Sequence, residues 1–550
     1  MTQDFPQGPQ APVEPPGTLI CQVDQLTNNG HGIFGVGWAL DRAGSIVEGA
    51  LLLHFKNGRT SYARVTMGRL RDDVAQVFPD HPQAARSGLM FWAGWGEERP
   101  EAAQFVFRTQ EGRTLSTALD LWGNAVPPEL APAPPSGRRH RIKQVLTYMR
   151  QGKIRTLLAK AAQYKGRPPD SRSTEEIELT SRLEGRRCRL VVDHSMGGGA
   201  NLYRKRLVSE WLEAGDAVAL LSFDVGSMST YVEVRDGEEV FERKLANFDA
   251  LAAALASSNL VEILLNCAVS FTQVGKIQQL LLDLKRISNA TLAVAIHEYF
   301  VICPSPFLLD KNGKYCGVPS TDRCNSCLRE HDDGFVSLTG ERSIERWRKM
   351  WTEVLSIADE VRCFSQSSKR LLERAYPDIA KHATLRPHDV EPLRRVRQTR
   401  VPGGTLTIGV IGFISHHKGA GVVVALAEAI SAAGADARIV VFGSLEGAPP
   451  SDVILQTGSY NRYDLPGLLE KYEVNIALMP SICPETFSFV AHEVVSMGLP
   501  LMSLDLGAQA DLARSVATGR VSPRQDGPGL LAEIMAFDRD LYFLNAKAHP

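Results

Sequence analysis

Leu406-Thr-Ile-Gly-Val-Ile-Gly412-Phe-Ile-Ser-His416-His417-Lys418-Gly419 is the stretch that decides the fold. An apolar run rich in β-branched residues ends at glycine, passes through a polar loop, and gives way to a helical pattern over Gly421 to Ala433. A short continuous apolar run bounded by glycine reads as a strand buried on both faces. Such strands belong to parallel sheets covered by helices. The rhythm continues with Ala437-Arg-Ile-Val-Val-Phe-Gly443, a strand near Ala477, and Leu499-Pro-Leu-Met-Ser-Leu504. Upstream the same alternation runs through Cys188 to Asp193, a helix from Ala200 to Ala214, and Ala217 to Phe223. It goes on with Val261 to Asn266, a helix from Val274 to Ile287, and Thr291 to Ile296. Alternating strands and helices predict parallel sheets. The expected blocks are 186–390 and 391–550, joined through Leu385-Arg386-Pro387-His388-Asp389. Ligands of such sheets bind outside the carboxyl ends of the strands, so a cleft between the blocks is the expected site.

Outward from these blocks the pattern changes. Residues 17–125 carry short strands such as Gly32 to Leu40, Ala50 to Phe55 and Ala103 to Phe107, with turns at Asn57-Gly58 and Glu111-Gly112. This predicts a small all-β sandwich ahead of the α/β blocks. Its aromatics Trp38, Phe91, Trp92 and Trp95 read either as core or as a carbohydrate-stacking patch. Residues 1–16 are rich in Pro and Gln and read as a disordered tail. The stretch 126–185 is read as connecting chain. It opens with five prolines in the nine residues from Pro127 to Pro135. Arg138 to Arg167 then holds ten Lys/Arg and no Asp/Glu, with apolar residues at helical spacing. Such a helix fits either an anionic membrane surface or a docking position between domains.

The whole chain has 550 residues, 44% hydrophobic and 22% charged, with a formal net charge of −1. That balance carries no bias toward nucleic acid. It has no apolar run long enough to span a bilayer, and the N-terminus lacks the regions of a signal peptide. The expected location is cytoplasmic, with peripheral contact at the inner face of a membrane through 138–167.

Chemistry concentrates after the strands. Pro484-Glu485-Thr-Phe-Ser-Phe-Val-Ala-His-Glu493-Val-Val-Ser-Met-Gly498-Leu-Pro500 sets two carboxylates eight residues apart, one on a loop and one in an amphipathic helix. Ionised carboxylates only accept hydrogen bonds, which suits sugar hydroxyls. Acidic residues also suit any helix N-terminus. Lys418, beside a helix N-terminus, offers a fixed positive charge to a diphosphate. Gly197-Gly198-Gly199 follows a strand and opens a helix, where a backbone can approach a phosphate or simply turn tightly.

Together these motifs resemble the GT-B glycosyltransferases, in particular a large retaining family, glycosyltransferase family 4-like, with a Glu-x7-Glu pair followed by Gly-x-Pro. Here the pair is Glu485 and Glu493, ahead of Gly498-Leu-Pro500. Gly412 to Gly419 is similar to the family's Gly-x5-Lys-Gly loop, Asp505 to Asp511 to its Gly-Gly-x-x-Glu segment, and Leu385 to Val390 to its segment between domains. The resemblance implies two tandem Rossmann-like domains, with the acceptor held by the first and the nucleotide-sugar donor by the second. It implies that Glu485 holds donor hydroxyls, Glu493 the ribose, Lys418 the diphosphate, and Gly198 and Gly199 the opposite side. Tyr460, Phe487, Ser488 and Gly412 fall in the implied donor site. His297 matches a cleft histidine near the reacting carbon, so His297, Lys418 and Glu485 are the implied catalytic residues. The chain departs from the pattern in four places. Phe413 stands near the usual phosphate-loop Arg, Ser488 replaces a Gly, Ala508 another Gly, and Asp511 the Glu of Gly-Gly-x-x-Glu. Arg204 or Lys205 is the expected substitute cation.

Cys303-x12-Cys316-x7-Cys324-x2-Cys327 suits a closed tetrahedral structural zinc. Free thiols or disulfides are the other readings, and a catalytic metal is not expected. Similar cysteine-rich inserts occur in transferases of bacterial surface polysaccharides. Cys21, Cys188, Cys267, Cys363 and Cys483 read as buried core. The leading expectation is transfer of a hexose from a nucleoside diphosphate sugar to a glycan or lipid-linked acceptor with retention, in surface polysaccharide biosynthesis. A GT-B sugar-nucleotide epimerase or a catalytically weakened glycan-binding protein are the alternatives. Nucleic acid is not an expected partner.

Overall fold

The computed structural model describes residues 18–95, 98–121, 175–196, 198–331, 333–397, 404–447 and 451–548. The expected tail 1–16, the proline-rich linker, the basic helix 138–167 and Gly197 lie outside the described residues. The chain is mixed α/β, and the described strands form three sheets.

The first sheet contains β1 (Leu19–Asn28), β2 (Gly32–Asp41), β3 (Ile46–His54), β4 (Thr60–Arg69), β5 (Gly88–Gly94), β6 (Ala102–Thr109) and β7 (Thr114–Leu119). Their order is β1-β2-β5-β4-β3-β6-β7, and all pairings are antiparallel. A sandwich divides such strands between two layers joined where a strand crosses from one to the other. Here β4 makes that crossing, with residues 60–65 paired to β3 and Thr66 and Arg69 paired to β5. The register of β4 against β5 slips between Thr66 and Arg69, around Gly68 at φ +85°. Such a bulge bends its strand and increases the twist. The sheet curls until Asn28 Nδ2 donates to the Leu121 carbonyl at 3.1 Å. Inside lie Phe91, Phe105 and Phe107. Trp38, Phe91 and Trp95 are buried, while Trp92 packs against Phe335 with ring centroids 5.8 Å apart.

The second sheet contains β8 (Arg187–His194), β9 (Ala217–Asp224), β10 (Ser229–Asp236), β11 (Glu239–Leu245), β12 (Asn259–Leu265), β13 (Thr291–Ile296), β14 (Glu360–Cys363) and β15 (Thr384–Leu385). The order is β11-β10-β9-β8-β12-β13-β14-β15. From β9 to β15 neighbours are parallel. At the other edge β10 and β11 form an antiparallel hairpin on β9. Val232 and Val234 of β10 face the core, and Tyr231, Glu233 and Arg235 face away, the period of two expected of a strand with one polar face.

The third sheet contains β16 (Leu406–Ile414), β17 (Ala437–Leu445), β18 (Ile454–Gln456), β19 (Ile476–Met479), β20 (Leu501–Leu504) and β21 (Gly519–Ser522), all parallel, in the order β18-β17-β16-β19-β20-β21. Its central strands are fully buried, as the run Leu406 to Ile411 requires. Each such Val, Ile or Leu contributes about 1.5–3 kcal/mol by leaving water. The chain runs one way from β16 to β17 and the other way to β19. That reversal opens a crevice at the carboxyl ends of β16 and β19, where the loops bearing Lys418 and Glu485 lie side by side.

Two glycines set those loops. A Cβ on Gly419 (φ +88°) would sit 1.9 Å from the Pro480 carbonyl oxygen, and one on Gly507 (φ +61°) 2.5 Å from the Glu485 nitrogen. Only glycine allows the backbones to approach this closely. The Ala508 N–H then donates to the Glu485 carbonyl at 2.9 Å.

The second and third sheets face each other across direct contacts. Thr486 Oγ1 donates to the His297 carbonyl at 2.8 Å. Arg370 and Asp511 form an ion pair at 3.1 Å. Gly199 lies where any Cβ would meet the Phe489 ring at 2.7 Å.

Candidate functional site

Between the two parallel sheets lies a cavity of about 1520 Å³. His297, Lys418, Tyr460, Glu485, Phe487, Ser488, Glu493, Gly198 and Gly199 all line it. Gly412 does not. Ile411 and Ile414 line the cavity from its strand. A Cβ on Gly412 would meet nothing, although its φ of +116° disfavours one; it is Gly443 (φ +134°), whose Cβ would lie 2.2 Å from the Gly412 oxygen, that lets the two backbones approach.

Glu485 is the best-held group. Its Oε1 accepts from Ser481 Oγ at 2.6 Å and from Lys418 Nζ at 3.4 Å. Burial raises a carboxyl pKa, yet the Lys418 ammonium and the hydroxyls of Ser481 and Ser488 outweigh it and hold Glu485 below the usual range. Lys418 responds in kind, raised chiefly by the Glu485 charge against its own burial. The pair is ionised on both sides at neutral pH, with Lys418 still 43% open toward the cavity. Ser488 donates from an unusual position. It is a non-glycine residue at φ +69°, opening the helix Phe489–Ser496. Left-handed backbone is uncommon for serine, and the hydroxyl on Glu485 is what the side chain gives in return.

Glu493, buried in that helix, receives Arg462 Nε at 2.5 Å. Arg462 also reaches Glu391 through Nη1 at 3.3 Å. The Tyr460 hydroxyl is pushed up to about 12 by burial and by the Glu493 charge, so it stays a donor.

The facing wall is aromatic. His297 Nε2 lies 3.0 Å from Asn266 Oδ1. Its ring stacks on Phe364 at 4.4 Å and parallel to His388 at 5.4 Å. Burial first, then His388 and His194, hold its pKa well below 6.5. His297 is therefore neutral at pH 7 and works as a hydrogen-bonding group, not a cation. His388 is lowered to about 4, chiefly by burial. Next to His297, the Glu298 carboxyl is raised to about 7, chiefly by burial. It accepts from the Phe300 N–H at 2.5 Å and from the Cys267 thiol at 3.4 Å.

Of the two candidate cations, Lys205 and not Arg204 is open to the cavity. Arg204 is held by buried Asp193 at 2.8 Å and by the His194 carbonyl at 3.2 Å. Lys205 is exposed on the cavity wall, with no ion-pair partner among the described residues.

The cysteine segment forms the roof. Phe307, four residues after Cys303, lines the cavity and stacks on His417 at 3.8 Å and 6°. Gly313 packs on His416, where a Cβ would lie 3.2 Å from Nε2. All nine cysteines are free. Burial raises the thiols of Cys303, Cys316, Cys324 and Cys327; the charge of others in the set raises Cys303, Cys316 and Cys327 further, while Arg348 works against the rise at Cys324. The Lys311 N–H donates to Cys327 Sγ at 3.2 Å, a bond that suits a thiolate. The four sulfurs are neighbours, but they are not among the described groups whose ligand atoms all lie within 4.8 Å of one another. Asp193, His194 and Cys267 do meet that distance, but their chemistry does not suit a metal. Asp193 is neutralised by Arg204. His194 Nδ1 accepts from the Met196 N–H at 3.1 Å, which puts the proton of a neutral ring on Nε2. Of the other cysteines, Cys188, Cys267, Cys363 and Cys483 are buried, while Cys21 is only partly so.

Sequence reasoning missed Ser481, His388 and Phe307, and it reached Arg462 only as part of Ser459 to Leu465, the segment that the resemblance sets at the nucleotide base. Arg462 and Ser481 carried a visible signal, since each stands within a few residues of a site position, Tyr460 or Glu485. Phe307 carried none, because its partner lies more than a hundred residues away.

No family model matches the sequence, and no curated protein matches it. Among solved structures, Anabaena Alr3699/HepE in complex with UDP-glucose is similar at 13% identity, covering 64% of this chain and 90% of that one, with a TM-score of 0.39. A glycosyltransferase from Rickettsia africae ESF-5 is similar at 13% identity, with 65% and 89% covered and a TM-score of 0.40. The lipopolysaccharide outer core galactosyltransferase WaaB in its apo form is similar at 10% identity, with 58% and 81% covered and a TM-score of 0.33. At such scores the likeness is one of outline, and the reading of the site rests on its own side chains.

Proposed function

We propose that this chain is a GT-B glycosyltransferase that moves a hexose from a nucleoside diphosphate sugar to a glycan or lipid-linked acceptor with retention. The observation that carries the reading is the pairing of Lys418 with Glu485 at the mouth of adjacent parallel strands, with Glu493 a short distance along the same wall. A cation held beside a carboxylate that accepts from two serines can meet a diphosphate and a sugar together. Lys418 and Lys205 would neutralise charge on the departing diphosphate, which is where such sites gain most of their rate. Glu485 would accept from sugar hydroxyls and Glu493 from the ribose, with Arg462 sharing Glu493 until the nucleotide enters. Neutral His297 would hydrogen-bond the sugar from the opposite wall.

The domains that go with this reading are 17–125 as an all-β accessory unit and 186–390 and 391–550 as tandem Rossmann-like units. Cys303, Cys316, Cys324 and Cys327 are proposed as a structural zinc site. Four thiols of this spacing fit the metal, and binding would draw the sulfurs together and tie down the roof that Phe307 belongs to. Cytoplasmic location, membrane contact through 138–167 and a role in surface polysaccharide synthesis are part of the same proposal. Among the described residues no helix is long and apolar enough to cross a membrane.

The test is incubation with a panel of nucleotide sugars and glycan acceptors, following nucleotide release and the anomeric configuration of the product. Transfer with retention, lost in Glu485→Ala, is the expected result. Conversion of the nucleotide sugar without any acceptor would favour the epimerase reading. Elemental analysis of reduced, freshly purified protein tests zinc, and one equivalent is expected.

A further inference from the structure

Successive side chains of a strand leave opposite faces of its sheet. Along β5, Phe91 packs in the core of the first sheet, and its neighbour Trp92 does not. Trp92 and Phe34, directly opposite on β2, pack instead against the core of the second sheet. The seat is the short helix Gly334–Thr339. A Cβ on Gly334 would lie 2.6 Å from Trp92 Nε1, and one on Gly94 1.9 Å from the Leu338 carbonyl oxygen. Ser337 Oγ donates to the Tyr62 carbonyl, and Arg342 Nη2 to Ser61 Oγ at 2.8 Å. The N-terminal unit is thus keyed onto this helix by backbone contact, by hydrogen bonds and by one large ring.

From that ring an unbroken run of aromatic contacts leads to the loop that carries Lys418. Trp92 meets Phe335 with centroids 5.8 Å apart, and Phe335 meets Phe307 at 5.9 Å and 74°. Both spacings fall within the range of about 4.5–7 Å that ring pairs favour. Phe307 then stacks on His417, the residue before Lys418, at 3.8 Å and 6°. The His417 carbonyl accepts from the Ile482 N–H at 3.1 Å, and its Nδ1 lies 3.2 Å from Ser415 Oγ. Ile482 in turn follows Ser481, which donates to Glu485. The Lys418 and Glu485 loops therefore meet at the residue on which the aromatic run ends. Trp92 Nε1 is buried with no hydrogen-bond partner among the described residues. What Trp92 brings to this contact is its ring alone.

We propose that Trp92 is a positioning residue for the Lys418 loop, acting through Phe335 and Phe307 on His417, so that the N-terminal β unit is a working part of the proposed donor site. Close-packed side chains pass on a displacement instead of absorbing it, and coupling of this kind travels through contiguous contacts. A small misplacement of a charged group far from its cause is enough to lose much of its effect. The inference rests on the transferase reading for the word donor. The dependence of the loop on Trp92 is measured without any ligand.

Hydrogen exchange of the intact chain is the first test. The Gly419 and Ala420 N–H groups donate to the His416 and Ser415 carbonyls at 3.0 and 3.1 Å, so they are protected while the loop keeps its shape. Trp92→Ala is expected to raise exchange across 415–420 by about tenfold and to leave β20 at the wild-type rate. Affinity for nucleotide sugar is expected to weaken by about five- to tenfold. Trp92→Phe keeps a ring and gives up only the unbonded N–H, so exchange and affinity are expected near wild type. Adding Trp92→Ala to Phe307→Ala is expected to change neither reading further. Should Trp92→Ala fail to fold, Phe335→Leu interrupts the same run at its middle and is expected to loosen the same amides. A Trp92→Ala protein with a lower melting temperature but wild-type exchange at 415–420 would reduce Trp92 to a docking contact and overturn the inference. An equal rise at β20, or additive losses in the double variant, would overturn it as well. Loosening of the loop in a protein that binds no nucleotide sugar would leave the positioning role standing and overturn the transferase reading instead.

Discussion

The two walls of the cleft are built on opposite electrostatic plans. The wall formed by the third sheet is closed on itself: Lys418 with Glu485, Arg462 with Glu493, and serines on Glu485. The wall formed by β9, β10 and β11 faces the cavity with Asp224, Glu233 and Glu242, with Arg235 on Glu233. A charge-matched wall keeps its groups ionised and fixed, which suits a ligand that carries charge and must be oriented. The difference teaches that one cavity is lined by two walls of different chemistry.

Breaking the charge-matched wall is expected to have the largest effect. Glu485→Ala removes the carboxylate proposed to hold the sugar and takes away the Glu485 partner of Lys418. Initial rates of transfer at saturating donor are expected to fall by about 10²–10³-fold. An equal fall in Glu233→Gln would erase the distinction between the walls. Next comes the roof. Phe307→Ala removes the ring stacked on His417 and frees the Lys418 loop. The donor KM is expected to rise by about tenfold, with Phe307→Tyr close to wild type. If Phe307 acts only through that loop, adding Phe307→Ala to Lys418→Ala changes nothing more.

A smaller effect concerns pH. Glu298 is raised to about 7 from its ordinary value, chiefly by burial. Between its unfolded and folded values the native state binds the extra proton, so this group's contribution is full below the unfolded value and lost as pH rises through about 7. Glu298→Gln, which cannot ionise, is expected to raise the melting temperature by a few degrees at pH 8 and to leave it unchanged at pH 4. Thermal scans across pH would read the difference directly, and equal curves would remove Glu298 from the account. The smallest expected effect is Ser488→Gly. It relieves left-handed backbone worth about 1 kcal/mol and removes one donor from Glu485, so melting temperature should rise slightly while kcat falls a few-fold.

The third sheet was legible in the sequence because its strands are buried on both faces and read as unbroken apolar runs. Gly412 to Gly419 and Glu485 to Pro500 could be placed beside each other once β16 and β19 were recognised as strand ends. The hairpin β10–β11 was not seen, although Tyr231-Val232-Glu233-Val234-Arg235 alternates strictly, because a one-sided strand among charged residues looks like a loop when read for apolar runs. In the N-terminal unit the crossing of β4 from β3 to β5, at the slip between Thr66 and Arg69, could not be read, because pairing partners leave no local trace. The same holds for Phe307 on His417 and for Arg462 on Glu493. The cysteine spacing was plain to read, but spacing alone does not set how near four sulfurs approach. Arg204 was a reasonable guess for a phosphate cation until Asp193 was found to hold it.

The central claim is that the Lys418–Glu485 wall binds a nucleoside diphosphate sugar and the β9–β11 wall does not. Calorimetric titration of the preferred nucleotide sugar into wild type, Lys418→Ala and Glu233→Gln tests it most directly. The expected result is a Kd weakened by about ten- to a hundredfold in Lys418→Ala and unchanged in Glu233→Gln. Unaltered affinity in Lys418→Ala, or an equal loss in both variants, would contradict it.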